Sequence, residues 1–297
     1  RCAFERGLRA TASGAALRFG LDLTIFGDLA DPTLLADLAV EAEVAGWDGF
    51  FLWDHTASAY EPEVTDPWIA LTAAAVCTQR LILGPMVTPL ARRRMTKLAR
   101  ETVALDHLSG GRLVLGVGLG AHDEPEFADF GDEGDPRVRA RILDESLALL
   151  AQLWSGQPVA FEGQYVRTTA EPFLPRPLQQ PRIPVWVAGT WPHKRPLRRA
   201  AAWDGVFPIK AGAGFDYQMT PQEMAQVRAF VETERASDRP LDLVHAGLLS
   251  GDQAADEVLV GSYAEAGVTW WLEHLYPGRL TLAEVHEFIQ AGPPRTT

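Results

Sequence analysis

Residues 110–127 read GGRLVLGVGLGAHDEPEF. The run holds Gly116, Gly118 and, three further on, Ala121, and so satisfies the permissive G-x-G-x-x-G/A pattern of dinucleotide-binding folds. That pattern cradles a pyrophosphate only where the glycines lead straight into a helix, whose N-terminus holds the anion. Here they lead into His122, Asp123, Glu124, Pro125 and Glu126, and the next helical pattern starts near Arg137. Negative charge at that place repels a pyrophosphate. The stretch therefore reads as a strand that ends in glycines, whose missing Cβ atoms let a flat ring approach the backbone.

Working outward, apolar runs like RLVLGVGLG recur on a beat. LRFGLDLTIF begins at Leu17, DGFFLWDH at Asp48, RLILGPMVTP at Arg80 and RLVLGVGLG at Arg112, about 31 residues apart, the length of one βα unit. Helical patterns fill the gaps. Asp31-Pro32 and Asp66-Pro67 open two of them, as N-cap and first-turn residues, and Gly46 and Gly110-Gly111 close two. The beat pauses between Arg112 and IPVWVAGT at Ile183, then resumes with DGVFPIK, LDLVHAG and TWWLEHL. Eight strands, each followed by a helix, predict an α/β fold with parallel strands closed into a (β/α)₈ TIM barrel. The interval of about 121–181 is an elaboration after strand four, and residues 17–297 are expected to form one domain.

The 297 residues suit one such barrel, and 47% hydrophobic content provides its core. A net charge of −12 speaks against nucleic acid, which needs a basic face. No run of about 18 apolar residues is present, so no membrane span is expected. Two cysteines, Cys2 and Cys77, fit a reduced cytoplasmic compartment. RCAFERGLRATASGAAL does not read as a secretory signal, and residues 1–16 are expected to be a flexible N-terminal extension.

In a barrel of this kind chemistry sits where strands end. Strand two ends in Trp53-Asp54-His55, and His55 is either a proton donor and acceptor or a loop cap. Strand three ends in Pro85-Met86-Val87-Thr88-Pro89, followed by Arg92, Arg93 and Arg94, which are either a solvated helix start or an anion-drawing rim. Strand five ends in Ala188-Gly189-Thr190 ahead of Lys194, Arg195, Arg198 and Arg199, which are either a phosphate site or a basic solvent face. In strand eight, alternation puts Trp270, Leu272 and His274 on one face and Trp271 and Glu273 on the other, so that one tryptophan lines the barrel. No histidine and carboxylate share metal-ligand spacing, so no metal is expected. Lys210, at the end of strand six, is what a Schiff-base enzyme would need.

Together, GWDGFFLWDH, LILGPMVTP, LARETVALDHLSGGRLVLGVGLG, EPEF, LDESLALLAQLWSG and IPVWVAGT, in this order, resemble the bacterial luciferase-like oxidoreductases. The resemblance implies an oxidoreductase that acts on a small organic substrate. It would use reduced FMN, as a monooxygenase, or the deazaflavin coenzyme F-420, for hydride transfer. It also implies a homodimer and, with FMN, a flavin reductase as partner. A flavin-binding protein of the same fold without turnover is the alternative. His55 matches the catalytic histidine and Asp54 the cofactor-binding acid beside it, which both face the cofactor ring in deazaflavin members. Met86–Val87 falls where members carry a non-prolyl cis peptide under the ring. Thr88, Gly118 and Gly120 match cofactor contacts, and Ala188, Gly189 and Thr190 match the phosphate loop. The chain departs from the family's sugar-phosphate dehydrogenases at Ala121, where they carry a glutamate, and at Ala59, where they carry a tryptophan.

Overall fold

Asp-Pro and Thr-Pro pairs start four of the α-helices among the described residues, and glycines stop three. The computed structural model describes residues 16–59, 61–121, 126–212 and 218–294. The side chain of Asp31 accepts from Thr33 N at the head of α1 (Pro32–Ala45), which ends at Gly46 with φ 94°. Asp66 caps α2 (Pro67–Cys77), and α3 (Met95–Ser109) ends at Gly110 with φ 70°. Asp135 caps α4 (Pro136–Trp154). After the short α5 (Lys194–Ala200), capping boxes open α6 (Pro221–Glu234) and α8 (Leu282–Ala291), and Asp252 caps α7 (Gln253–Glu265). Each cap satisfies orphan backbone donors locally, which is why these starts are visible in sequence.

The strands are β1 (Arg18–Leu23), β2 (Gly49–Leu52), β3 (Ile82–Pro85), β4 (Thr88–Pro89), β5 (Leu115–Gly118), β8 (Val185–Trp191), β9 (Gly205–Lys210), β10 (Asp242–Gly247) and β11 (Trp270–Leu275), all parallel. Their order is β3-β2-β1-β11-β10-β9-β8-β5-β4. β3 and β4 are one barrel strand, split at a cis peptide between Met86 and Val87. β3 pairs with β2, β4 pairs with β5, and a parallel bridge between Leu83 and Leu113 closes the ring. The eight-stranded barrel is thus present, with all eight strands where the beat places them.

The pause between β5 and β8 holds α4, then an antiparallel hairpin of β6 (Val159–Glu162) and β7 (Arg167–Ala170) that the sequence reading does not anticipate. Glu145 of α4 grips the hairpin turn by accepting from Tyr165 N (2.8 Å) and Val166 N (2.9 Å). Asp106 of α3 holds the returning chain by accepting from Leu178 N (2.7 Å) and Gln179 Nε2 (2.7 Å).

The barrel interior is filled by Phe51, Met86, Val114, Trp186, Phe207, Val244, Trp270 and Leu272. Trp271 faces outward onto Tyr263 of α7, with ring centroids 5.2 Å apart, as the alternation of strand eight predicts. Arg112 is buried and fastens α2 to β3, donating to Thr78 Oγ1 (3.0 Å), Leu81 O (2.8 Å) and Ala75 O (2.9 Å). Among the described residues no helix is long and apolar enough to cross a membrane. The expected extension, residues 1–16, lies outside the described residues except for Ala16.

Candidate active site

β2 delivers Trp53-Asp54-His55 to the C-terminal mouth of the barrel. The Asp54 carboxylate is fully buried. It accepts from Trp68 Nε1 (3.1 Å), Thr88 Oγ1 (2.6 Å), Arg92 Nη2 (3.0 Å) and Arg93 Nη2 (2.6 Å). The split strand makes this possible. After the cis Met86–Val87 bond the chain runs through β4 into a 3-10 turn, Leu90–Arg92, which turns Arg92 and Arg93 inward. Neither a solvated helix start nor an anion-drawing rim describes Arg92. Its guanidinium is 4% exposed and tied into this network.

Arg92 also reaches Glu126, with Nη1 2.9 Å from Oε2. The same carboxylate oxygen lies 3.2 Å from His55 Nδ1. Oε1 accepts from Thr56 N and from Ala57 N (3.3 Å). Burial alone would raise the Glu126 carboxyl, but His55, Arg92 and the Thr56 N–H outweigh it and hold the group at about 2. Glu126 is therefore a carboxylate at any physiological pH. The His55 ring packs against Phe26 (5.2 Å) and Trp53 (5.6 Å).

A second carboxylate–imidazole pair lies on the far side of Trp53. Asp22 of β1 and His274 of β11 are register partners, which sets their side chains beside each other. His274 Nδ1 is 2.9 Å from Asp22 Oδ2, and both residues are buried. Burial raises the Asp22 carboxyl, and His274 opposes the shift. The His274 ring stacks on Trp53 at 5.2 Å. One indole thus separates two imidazoles, each with its own carboxylate.

Of the remaining expected residues, Met86, Thr88, Gly118 and Gly189 are buried, and Val87, Gly120, Ala188 and Thr190 are half-buried. Val87 and Ala188 are half-buried and, with Ile209, rest on the interior core as an apolar ledge. Such a ledge suits one face of a flat ring system. Thr190 is half-buried beside it, whereas Thr88 is fully buried with its hydroxyl committed to Asp54. The strand-four glycines make their close approaches to the chain itself. A Cβ on Gly116 would lie 2.2 Å from Pro85 O, and one on Gly118 2.7 Å from Val87 Cγ2. Gly120 has φ +79° and lies under Phe127, and Gly189 makes room for Pro196.

The basic rim after strand five is largely spent. Arg198 pairs with Glu234 (2.9 Å), Arg199 pairs with Asp144, and Lys194 sits 4.3 Å from the Trp191 and Phe230 rings. Lys210, the Schiff-base candidate, pairs with Glu223 at 3.1 Å.

The sequence reading leaves Glu126 and Asp22 without a role and places His274 no further than the inner face of its strand. Glu126 is visible only as part of EPEF, because its partners come from β2 and from the turn after β4. Its neighbours His122–Pro125 lie outside the described residues.

A parallel barrel whose strand ends carry a histidine, a carboxylate network and an apolar ledge is the architecture of a cofactor-dependent enzyme class. The profile of the luciferase-like monooxygenase family matches residues 14–263, and the chain belongs to that family. It is 34% identical over 169 residues to an F420-dependent glucose-6-phosphate dehydrogenase of Nakamurella multipartita, covering 54% of this chain and 48% of that protein. The chain thus spans about half the length of the curated relatives it matches. The F420-dependent tetrahydromethanopterin reductase of Methanopyrus kandleri superposes with a TM-score of 0.71 at 19% identity, over 93% of this chain and 98% of that one. The oxygenating constituent of 3,6-diketocamphane monooxygenase from Pseudomonas putida, in complex with FMN, gives a TM-score of 0.62 at 18% identity, over 92% and 83%.

Proposed function

We propose that the chain is an oxidoreductase that uses reduced FMN or the deazaflavin coenzyme F-420 on a small organic substrate, with His55 as its proton-transfer residue. The observation that carries this reading is the His55–Glu126 pair beside the apolar ledge. Met86, Val87, Ala188 and Ile209 would hold the ring. Gly118, Gly120, Gly189 and Thr190 would border it and its phosphate. When bound, reduced FMN supplies electrons for oxygen activation, and the deazaflavin supplies a hydride.

The chain's own residues do the rest. Glu126 stays ionised and faces His55 Nδ1, which turns Nε2 to the substrate to give or take the proton there. Asp54 acts as a positioning residue. It fixes Arg92, which holds Glu126, and Thr88 at the end of the split strand. Trp53 and Phe26 wall the imidazole and exclude water. The same reading includes one barrel domain over residues 17–297 with 121–181 as its insertion, a homodimer, a cytoplasmic setting and, with FMN, a reductase partner.

The test is a fluorescence titration of the purified protein with FMN and with F-420. Binding of at least one in the micromolar range is expected, and binding of neither overturns the reading. With the cofactor found, His55→Ala should lower turnover by about 10²-fold or more. Cofactor affinity should stay nearly constant. Unchanged turnover removes His55 from the mechanism.

A further inference from the structure

Asp22 and His274 form a polar storey on top of the barrel's apolar filling. A Cβ on Gly20 would lie 2.8 Å from Leu272 Cδ2, so Gly20 faces the interior, and Asp22, two residues on, faces the same way. Trp270 and Leu272 of β11 fill the interior, and His274 continues their row. The two side chains therefore meet one storey above Leu272, towards the C-terminal end where a parallel barrel places its chemistry. Both are buried. Stability does not explain them. Two ionisable groups taken out of water do no better than an apolar pair of similar volume, and the storey below consists of Gly20 and Leu272.

What the pair does touch is Trp53. The His274 ring stacks on the indole at 5.2 Å, with 30° between the planes. Asp22 holds that ring, with Oδ2 2.9 Å from His274 Nδ1. Burial raises the Asp22 carboxyl, and hydrogen bonding from His274 and from the Trp53 side chain opposes the rise, so the carboxyl engages both rings. On its other side the indole meets His55, at 5.6 Å and 40°. Glu126 fixes one nitrogen of His55, and the rings against the imidazole set its tilt.

We propose that Asp22 and His274 are positioning residues for His55, acting through Trp53. Asp22 orients the His274 ring, the ring fixes the tilt of the indole, and the indole sets the direction in which His55 presents Nε2 to the mouth. The contacts run from Asp22 through His274, Trp53 and His55 to Glu126, with a carboxylate at either end. Displacing a catalytic group by about 1 Å costs on the order of 10²-fold in rate, which is reason enough to brace it from a distance. The use of His55 in proton transfer rests on the proposed function, whereas its placement does not.

The test reads His55 directly, by nuclear magnetic resonance of the full chain without cofactor. The chain has seven histidines, so the ring signals of protein labelled with nitrogen-15 histidine are few, and His55→Ala identifies those of His55 by their loss. These signals sense the ring current of the adjacent indole. Asp22→Leu, which keeps the volume and removes the acceptor, should displace them at constant pH, and His274→Leu should displace them as well. Asp22→Asn keeps an acceptor for His274 without the charge and should leave them near their wild-type positions. Equal displacement by Asp22→Asn and Asp22→Leu would mean that charge is transmitted rather than position, and overturns the proposal. Unmoved His55 signals in the folded Leu variants overturn it too. His107 and His286, on α3 and α8, are the controls, and movement of their signals as large as that of His55 counts equally against it. If a single Leu variant does not fold, Asp22→Leu/His274→Leu removes both ionisable groups together and should displace His55 in the same way. Retained FMN or F-420 binding beside unmoved His55 signals sinks this inference alone, and the reverse result sinks only the redox reading.

Discussion

At the scale of single residues, Glu126 ties the site together. Its carboxylate is fully buried, and its lowered pKa is a statement about stability. The folded value of about 2 lies below the ordinary 4.5, so the fold binds this proton less readily than the unfolded chain does. The contribution is complete above about pH 4.5 and is lost as pH falls towards about 2. It amounts to about 3 kcal/mol. Glu126→Gln should lower the urea midpoint at pH 7 by a corresponding amount, and the difference from wild type should shrink towards pH 3. A constant difference across that range would mean that the loss comes from packing rather than charge. The variant should also lose turnover, because Gln cannot hold His55 Nδ1 by charge.

At the scale of elements, the glycines of β5 separate what a sequence shows from what it hides. The strand itself was legible, because its apolar run and its place on the beat are local. The purpose of its glycines was not, because it is set by a neighbour across the barrel. A Cβ on Gly116 would strike Pro85 O and Met86 Sδ, at 2.2 and 2.6 Å. The space goes to the segment around the cis bond, not to a ligand. Likewise Asp54 and His55 could be placed from the end of β2. Their shared link through Arg92 and Glu126 could not, because it joins three separate loops. The hairpin β6–β7 escaped notice because its strands are only four residues long, and the alternation of Val159 and Phe161 with exposed Ala160 and Glu162 is too short to stand out. Two glycine substitutions should therefore act in opposite directions. Gly116→Ala should destabilise by about 1–3 kcal/mol, since backbone cannot yield as a side chain can. Gly261→Ala, inside α7 with nothing within 4 Å of the added Cβ, should stabilise by about 0.5–1 kcal/mol. Chemical denaturation of the two variants reads both signs, and a loss on both would refute the assignment of open space at Gly261.

At the scale of the whole molecule, acid acts on the barrel through groups of opposite sense. Burial raises the carboxyls of Asp22 and Glu273, so the fold takes up those protons more readily than the unfolded chain and gains stability as pH falls. His245 works the other way. It is buried between the layers, stacked on Tyr263 at 4.3 Å and 5.0 Å from Trp271, and burial holds its pKa down at about 3. The unfolded chain takes that proton near pH 6.5, while the fold does not until about pH 3. Stability from this group is thus whole above pH 6.5 and falls steadily below it, by about 2 kcal/mol at pH 5. His245→Phe keeps a ring between Tyr263 and Trp271 and removes the titration. Urea unfolding at pH 7.5 and at pH 5 should show a smaller acid loss in the variant than in wild type, by about 2 kcal/mol. Equal losses in the two proteins would mean that His245 is already charged in the fold.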